Sequence, residues 1–577
     1  MKQIDLAILG LVGCLASCTK PAGRMPAANK IFTQSETSEI NNKARVDLGS
    51  AATTPLEEPA TEPAKIEVAG EPIGTAPRIL PQNPNIIVIL TDDQGWTGTS
   101  IQMQADRPDS KSDFYQTPNL ERLSARGMTF ANGYAAPNCS PSRLALLTGK
   151  SPARLSMTDI IDRRSGPNYE GQLLLPPGHP NNPARRIFAI PKTESTIAEM
   201  IKSHAPAYTT AHFGKWHLGG GGPAMHGFDE GDGSTGNSNG NVGGADPKRV
   251  FSLAGRANDF IRRSAAARKP FFLQISHYAT HEDSFALAST VAKYRRKSAG
   301  TVHKDPLYAA MTENLDTSIG RVLAAVDDPD GNGDRADSLL GSTYIVLLAD
   351  NGAVDADSDN FPLASGKATA WEGGVRVPFL VSGPGIAPAS RSRVPVTEHD
   401  LYPTIAQWVG AGDIANGGRD GGSLARLARG ESQEVDGRTN ELFFHFPHYQ
   451  IEKGSKPMSA VRAGPMKLVH FYETGSNHLY DLTSDIGEQV DLAARRPEVV
   501  RDLERKLRDY LKQVDAPMPR LSAASGPGIQ PDVDRDGLND DLEFRELLTT
   551  RYDGNDDPDG DGRSNAAEFA AGTDPLQ

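Results

Sequence analysis

The run Asn85-Ile86-Ile87-Val88-Ile89-Leu90, continued by Thr91-Asp92-Asp93-Gln94-Gly95-Trp96, decides the fold class. An unbroken β-branched run with no polar alternation predicts a strand buried on both faces, as in a parallel sheet covered by helices. Two adjacent carboxylates then stand at its C-terminal end, where open α/β sheets hold their ligands. Asp-Asp alone is commonly just an acidic turn. A second run, Thr343-Tyr344-Ile345-Val346-Leu347-Leu348, repeats the grammar and ends in Ala349-Asp350-Asn351-Gly352. Together Asp92, Asp93, Asp350 and Asn351 offer hard oxygen ligands, which suit Ca²⁺ or Mg²⁺ and suit thiophilic metals poorly.

The N-terminus predicts export. Lys2 precedes a short apolar run, Leu6 to Leu15, too short to span a bilayer. Leu15-Ala16-Ser17-Cys18 resembles a bacterial lipoprotein cleavage box, which would make Cys18 the lipidated residue, residues 1–18 the signal, and the cell envelope the location; an ordinary cleaved signal is the alternative. Residues 19–82 are rich in Pro, Ala, Glu, Thr and Ser and predict a disordered tether. Of three cysteines, Cys14 and Cys18 lie in the signal, so Cys139 has no disulfide partner in the exported body. A lone thiol in an oxidising compartment is buried, paired between chains, or chemically used.

Cys139-Ser140-Pro141-Ser142-Arg143 resembles the maturation signature of sulfatases. In the same order as in that family follow Leu147-Thr148-Gly149, Gly214-Lys215-Trp216-His217-Leu218-Gly219, His226-Gly227-Phe228-Asp229, Lys367, and Trp371-Glu372-Gly373-Gly374-Val375-Arg376-Val377-Pro378. The resemblance runs from about Pro84 to Val514. It implies an alkaline-phosphatase-like α/β fold: a large, mostly parallel sheet flanked by helices (residues 83–400), then a smaller C-terminal α+β subdomain (401–520). It implies conversion of Cys139 by a dedicated maturation enzyme to formylglycine, an aldehyde whose hydrate attacks a sulfate ester. It also implies a metal held by Asp92, Asp93, Asp350, Asn351 and an oxygen of the converted Cys139.

By the same resemblance Lys215 neutralises charge on the hydrate and His217 takes a proton that triggers sulfate release. Lys367 and His281 bind sulfate and protonate the departing alcohol. Arg143 lies four residues after Cys139, so a helix starting at Cys139 puts both on one face. The family's usual Ala-Pro-His-x-Pro reads here Ala279-Thr280-His281-Glu282-Asp283, without either proline. His277 is the competing histidine, and distance from the preceding strand favours His281. Val499, Leu503, Leu507, Leu511 and Val514 fall at helical spacing and predict a core-facing stripe.

Near the C-terminus, Asp532, Asp534, Asp536 and Glu543 fit the EF-hand register, and Asp557, Asp559, Asp561 and Glu568 fit it again. Alternating carboxylates, a glycine at the bend and a closing glutamate predict Ca²⁺ in a tail over residues 530–577. Asp328-x-Asp330-x-Asn332-Gly333 lacks that glutamate and predicts a loop between a helix and the Thr343 strand, with calcium the lesser alternative. Residues 532–577 carry 14 acidic and 4 basic side chains, so the net charge of −13 belongs mostly to the tail. No basic stretch argues for nucleic acid. The function expected is sulfatase action on a sulfated small molecule or carbohydrate. A phosphomonoester, phosphodiester or phosphonate hydrolase of the same superfamily, or an inactive surface binding protein, are the alternatives.

Overall fold

The computed structural model describes residues 66–67, 80–412, 418–522, 532, 536, 538–550 and 552–576. The expected signal with Cys18, most of the expected tether, and Asp534 lie outside them.

The main sheet has nine strands. Its parallel centre is β6 (Thr343–Ala349), β1 (Asn85–Thr91), β5 (Phe271–Ser276), β3 (Thr209–Gly214) and the two-residue β4 (Glu230–Gly231), neighbours in that order. Beyond β6 come β7 (Phe379–Ser382), antiparallel, then β2 (Gly127–Phe130) and β8 (Ser390–Ser392), parallel to each other. Ile66–Glu67, within the stretch expected to be a tether, pairs antiparallel with Ser392 and Arg391 at the edge. A backbone ladder of two residues needs no apolar pattern, which is why sequence gives no sign of it.

Alternation along the central strands feeds two cores. Ile86, Val88 and Leu90 join Val346 and Leu348 on one face; Ile87 and Ile89 join Leu273, Ile345 and Leu347 on the other. Each of Ile86 to Leu90 is fully buried, a contribution of roughly 2 kcal/mol per side chain. The first core is covered by α2 (Cys139–Thr148), α3 (Ile197–His204) and α6 (Leu401–Trp408), the second by α1 (Pro118–Ala125), α4 (Val250–Ala266) and α5 (Pro306–Asp327). The first core continues to Val435, past the expected boundary at residue 400, before the next strand begins at Leu442.

The C-terminal subdomain is an antiparallel meander, β9 (Leu442–Phe446), β10 (Met458–Ala463), β11 (Met466–Phe471) and β12 (Ser476–Asp481). Helix α7 (Pro497–Gln513) lays Leu503, Leu507 and Leu511 on it, against Val461, Leu468 and Leu479. The expected stripe is therefore core. Lys467, fully buried, joins subdomain to main body by bonding Glu372 at 2.9 Å and Glu488 at 2.8 Å.

The tail docks on this subdomain. Phe544 of α8 (Asp540–Glu546) and Leu548 are buried in the same core as α7. His470 Nε2 meets the Leu548 carbonyl at 2.8 Å, and the buried Arg508 donates to Asp574 at 2.8 Å. The Asp328 run is an exposed loop between α5 and β6, as expected.

Candidate active site

Four parallel strands end at one edge. Thr91 and Ala349 are ladder partners, as are Gly214 and Ser276, so the residues following β1, β6, β3 and β5 meet at one level. Asp92 and Asp93 leave β1 there, Asp350 and Asn351 leave β6, and Lys215 leaves β3. The turns are tight. Gly214 sits at φ +100° with its missing Cβ direction only 1.9 Å from the Ser276 carbonyl oxygen, and the Lys215 amide donates to that oxygen at 2.8 Å. A Cβ on Gly352 would lie 1.8 Å from the Gly373 carbonyl, so the backbone after Asn351 also admits only glycine.

Cys139 is the first residue of α2, the condition under which it shares a face with Arg143, and all ten residues of that helix are buried. Asn138 caps it, its Oδ1 accepting from the Cys139 amide at 3.1 Å while its Nδ2 donates to Asp159 at 2.8 Å. The thiol lies 3.8 Å from Asp93 Oδ1. Burial, with Asp350 and Asp93 adding and Lys215 and Lys367 opposing, pushes the thiol up to about 12. An unmodified sulfur here is protonated at neutral pH and a poor nucleophile.

One ligand atom from each of Asp92, Asp93, Cys139 and Asp350 lies within 4.8 Å of the others. Three cations face these carboxylates. Lys215 Nζ grips both oxygens of Asp92 at 2.9 and 2.7 Å. Lys367 Nζ bonds Asp93 Oδ2 at 2.7 Å. Arg143 donates to Asp350 Oδ2 through Nε at 3.0 Å and Nη2 at 2.6 Å, to the Lys215 carbonyl at 2.8 Å, and stands 3.2 Å from Asp92. The shared helix face thus turns Arg143 toward the strand ends.

The carboxylates divide in charge. Burial alone would raise all three. Lys215 and Arg143 outweigh it at Asp92 and hold that group well below the usual range. Lys367 and His281 bring Asp93 down to about 2. At Asp350, burial and the neighbouring Asp92 charge outweigh Arg143 and lift the carboxyl to about 7. Asn351 donates to Asp93 Oδ1 at 2.7 Å, while its Oδ1, buried, has no partner among the described residues. An orphaned amide oxygen beside three carboxylates is an all-oxygen donor set, and it fits a hard divalent cation.

His281 belongs to this cluster: its Nε2 is 3.8 Å from Asp93 Oδ2, and one atom each of His281, Asp93 and Cys139 lie within 4.8 Å of one another. In place of the absent prolines, Thr280 ties the loop down, its hydroxyl donating to the Asp93 carbonyl at 3.2 Å and accepting from Tyr308 at 2.7 Å. His277 is fully buried, and neither ring nitrogen has a partner among the described residues. His217 is buried with its Nε2 2.9 Å from Asp162 Oδ2. Asp162, Asn138 and Asp159 carry no motif and escape sequence reading. Asp159 is legible only as one carboxylate between the Cys139 motif and two arginines, Arg163 and Arg186.

In the tail, Asp557, Asp559 and Asp561 gather one oxygen each within 4.8 Å. Glu568, on α9 (Asn565–Ala571), is buried, and its Oε2 has no partner among the described residues. In the first loop, Asp532 Oδ1 and Asp536 Oδ2 are buried and have no partner among the described residues.

Two family profiles match the chain: Sulfatase over residues 84–411, and N-sulphoglucosamine sulphohydrolase, C-terminal, over residues 366–516. A sulfatase of Formosa agariphila is 29% identical over 510 residues, covering 76% of this chain and 90% of its own. The N-acetylgalactosamine-6-sulfatase of Canis lupus familiaris is 31% identical over 351 residues, 54% of this chain and 59% of its own. Among solved structures, Ps i-CgsB in complex with k-i-k-neocarrahexaose shares the fold, with a TM-score of 0.59 at 23% identity over 74% of this chain and 93% of that one.

Proposed function

This chain belongs to the sulfatase family and is a sulfuric ester hydrolase, and from that premise we propose that it removes sulfate from carbohydrate esters through a formylglycine made from Cys139. The observation that carries this reading is the convergence of Arg143, Lys215 and Lys367 with Asp92, Asp93 and Asp350 around one buried sulfur at a helix N-terminus. A hydrated aldehyde at that position carries two hydroxyls on one carbon, one to accept the sulfuryl group and one whose deprotonation expels sulfate. A divalent ion on Asp92, Asp93, Asp350 and the Asn351 oxygen supplies Lewis acidity, with Ca²⁺ favoured by the donor set and Mg²⁺ the alternative.

The residues themselves do the positioning. Arg143 fixes Asp350 through two hydrogen bonds and leaves no freedom in that carboxyl. Lys215 and Lys367, held on Asp92 and Asp93 and themselves buried, present positive charge where an anionic ester must settle. Lys367 is held protonated, because Asp93 outweighs the cost of its burial. We assign Lys367 and His281 to sulfate binding and to protonation of the leaving oxygen, and His217 to the proton removed before sulfate departs. The carbohydrate substrate is supported by the N-acetylgalactosamine-6-sulfatase relative and by the oligosaccharide bound to the structural neighbour.

Peptide mass spectrometry across Cys139 in native-host protein, with turnover of aryl sulfate against aryl phosphate and diester, tests the reading. The expected result is an aldehyde at position 139, sulfate preference, and no multiple turnover in Cys139→Ser. Free thiol alone in active protein, or faster phosphorus chemistry, overturns it.

Two further assignments belong to the same proposal. The tail loops bind Ca²⁺, supported by buried oxygens of Glu568, Asp532 and Asp536 that have no partner among the described residues. Cys18 carries a lipid that holds the enzyme at the cell envelope, supported by the run from Lys2 to Cys18. Among the described residues no helix is long and apolar enough to cross a membrane.

A further inference from the structure

We propose that Asp162 is a positioning residue that decides which nitrogen of His217 accepts a proton. The His217 ring is 1% exposed, and Asp162, its partner across 2.9 Å, is 66% exposed. The ring therefore spans from the rim of the site to its interior. A carboxylate can only accept, so the hydrogen of a neutral imidazole sits on Nε2 and the lone pair on Nδ1. Nδ1 is buried and has no partner among the described residues. It is the one ring atom open to proton chemistry on the inner side.

The backbone is held as firmly as the ring. His217 lies at φ +53°, a left-handed conformation uncommon outside glycine. Its amide donates to the Thr235 carbonyl at 2.7 Å, and its carbonyl accepts from Ser140 Oγ at 2.9 Å. Ser140 follows Cys139 directly and also accepts from the Ile161 amide at 3.3 Å, next to Asp162. One turn earlier, Asp159 is bonded by Asn138, the cap of the Cys139 helix, and by Arg163 at 2.7 Å. An exposed aspartate is thus carried on a segment anchored at both Asn138 and Ser140.

The charges agree. The hydrogen bond from His217 keeps Asp162 below the usual carboxylate range. Burial brings His217 down to about 4, with Lys215 and Arg143 acting in the same direction and Asp162 against them. The ring is neutral at pH 7. When a hydroxyl proton moves to Nδ1, the oxygen keeps the electron pair, the ring becomes imidazolium, and Nε2–H goes on donating to Asp162, which faces the new charge.

This inference rests on the reading of His217 as proton acceptor, but its first test needs neither turnover nor an aldehyde. Histidine ¹⁵N shifts are recorded at neutral pH in ¹⁵N-histidine-labelled Cys139→Ala protein, with His217→Gln to identify the signal. The Nε2–H form is expected in the parent, and loss of that single form in Asp162→Asn and Asp162→Ala, with thermal midpoints unchanged. In converted enzyme, Asp162→Asn lowers kcat on aryl sulfate by about 10- to 100-fold with KM within about 2-fold, and Asp162→Glu recovers most of it. An unchanged tautomer in both variants overturns the proposal, as does a loss confined to KM, which would make Asp162 a substrate contact. The tautomer shift in a chain whose Cys139 is never converted supports this proposal while sinking the formylglycine reading.

Discussion

At the scale of single residues, the molecule separates charges that must stay from imidazoles that must not charge. His445 shows the second case. Its Nε2 donates to the Pro517 carbonyl at 3.0 Å, and its Nδ1 lies 2.7 Å from Ser459 Oγ, which in turn meets the Tyr472 hydroxyl. A carbonyl can only accept, so the neutral ring is satisfied on both sides and a second proton would displace the serine. Burial carries this histidine down to about 4. Because the folded value lies below the unfolded one, near 6.5, its stabilising share is complete above pH 6.5 and is lost as pH falls toward 4. The expected loss from this residue is about 3 kcal/mol at pH 4. Thermal midpoints measured between pH 7.5 and 4.5 should fall less steeply in His445→Gln than in the parent, and equal slopes would contradict the assignment. The residues of the strand-end cluster were legible because each sits in a motif whose chemistry is readable: carboxylates after a buried strand, a thiol before Ser-Pro-Ser-Arg. Asp162 was not. It is an exposed aspartate in irregular chain, and its significance lies in a ring 55 positions away.

At the scale of elements, the site is a property of strand ends held in register. β1, β3, β5 and β6 finish together, and each hands its next residue or two to one small volume. Gly214 is the narrowest point, since its backbone lies against Ser276 with no room for a methyl group and at a φ that L-residues avoid. Gly214→Ala should cost on the order of 3 kcal/mol and, in whatever protein folds, lower kcat because Lys215 and His217 follow it directly. Denaturation midpoints with aryl sulfatase assays check this; a parental midpoint with parental kcat would show that the turn gives way freely. The long apolar runs made β1, β5 and β6 legible, since double-sided burial leaves a plain compositional mark. β2, β7 and β8 are three or four residues each, too short for any periodicity. The extent of the first core to Val435 was equally hidden, because α6 is set by what it packs on, not by its own pattern.

At the scale of the whole molecule, the tail is part of the C-terminal body. Phe544 and Leu548 share a core with Leu503, Leu507 and Leu511, and Arg508 and Asp574 join across it. Added Ca²⁺ should therefore raise the thermal midpoint of the full chain. The rise should vanish in a Glu543→Gln, Glu568→Gln variant, while kcat on a small aryl sulfate stays at the parental level. A calcium response that survives in that variant would place the ion elsewhere, and collapse of kcat would tie the tail to the chemistry. The gathering of Asp557, Asp559 and Asp561 was legible from carboxylate spacing; the docking was not, because it depends on Phe544 and Leu548 meeting a surface built by α7. Last, Cys139 is 1% exposed, at the head of a helix with no exposed residue. On the proposed formylglycine reading, a maturation enzyme large enough to oxidise that thiol has nothing to grip once this body has closed, so the conversion belongs to the still extended polypeptide.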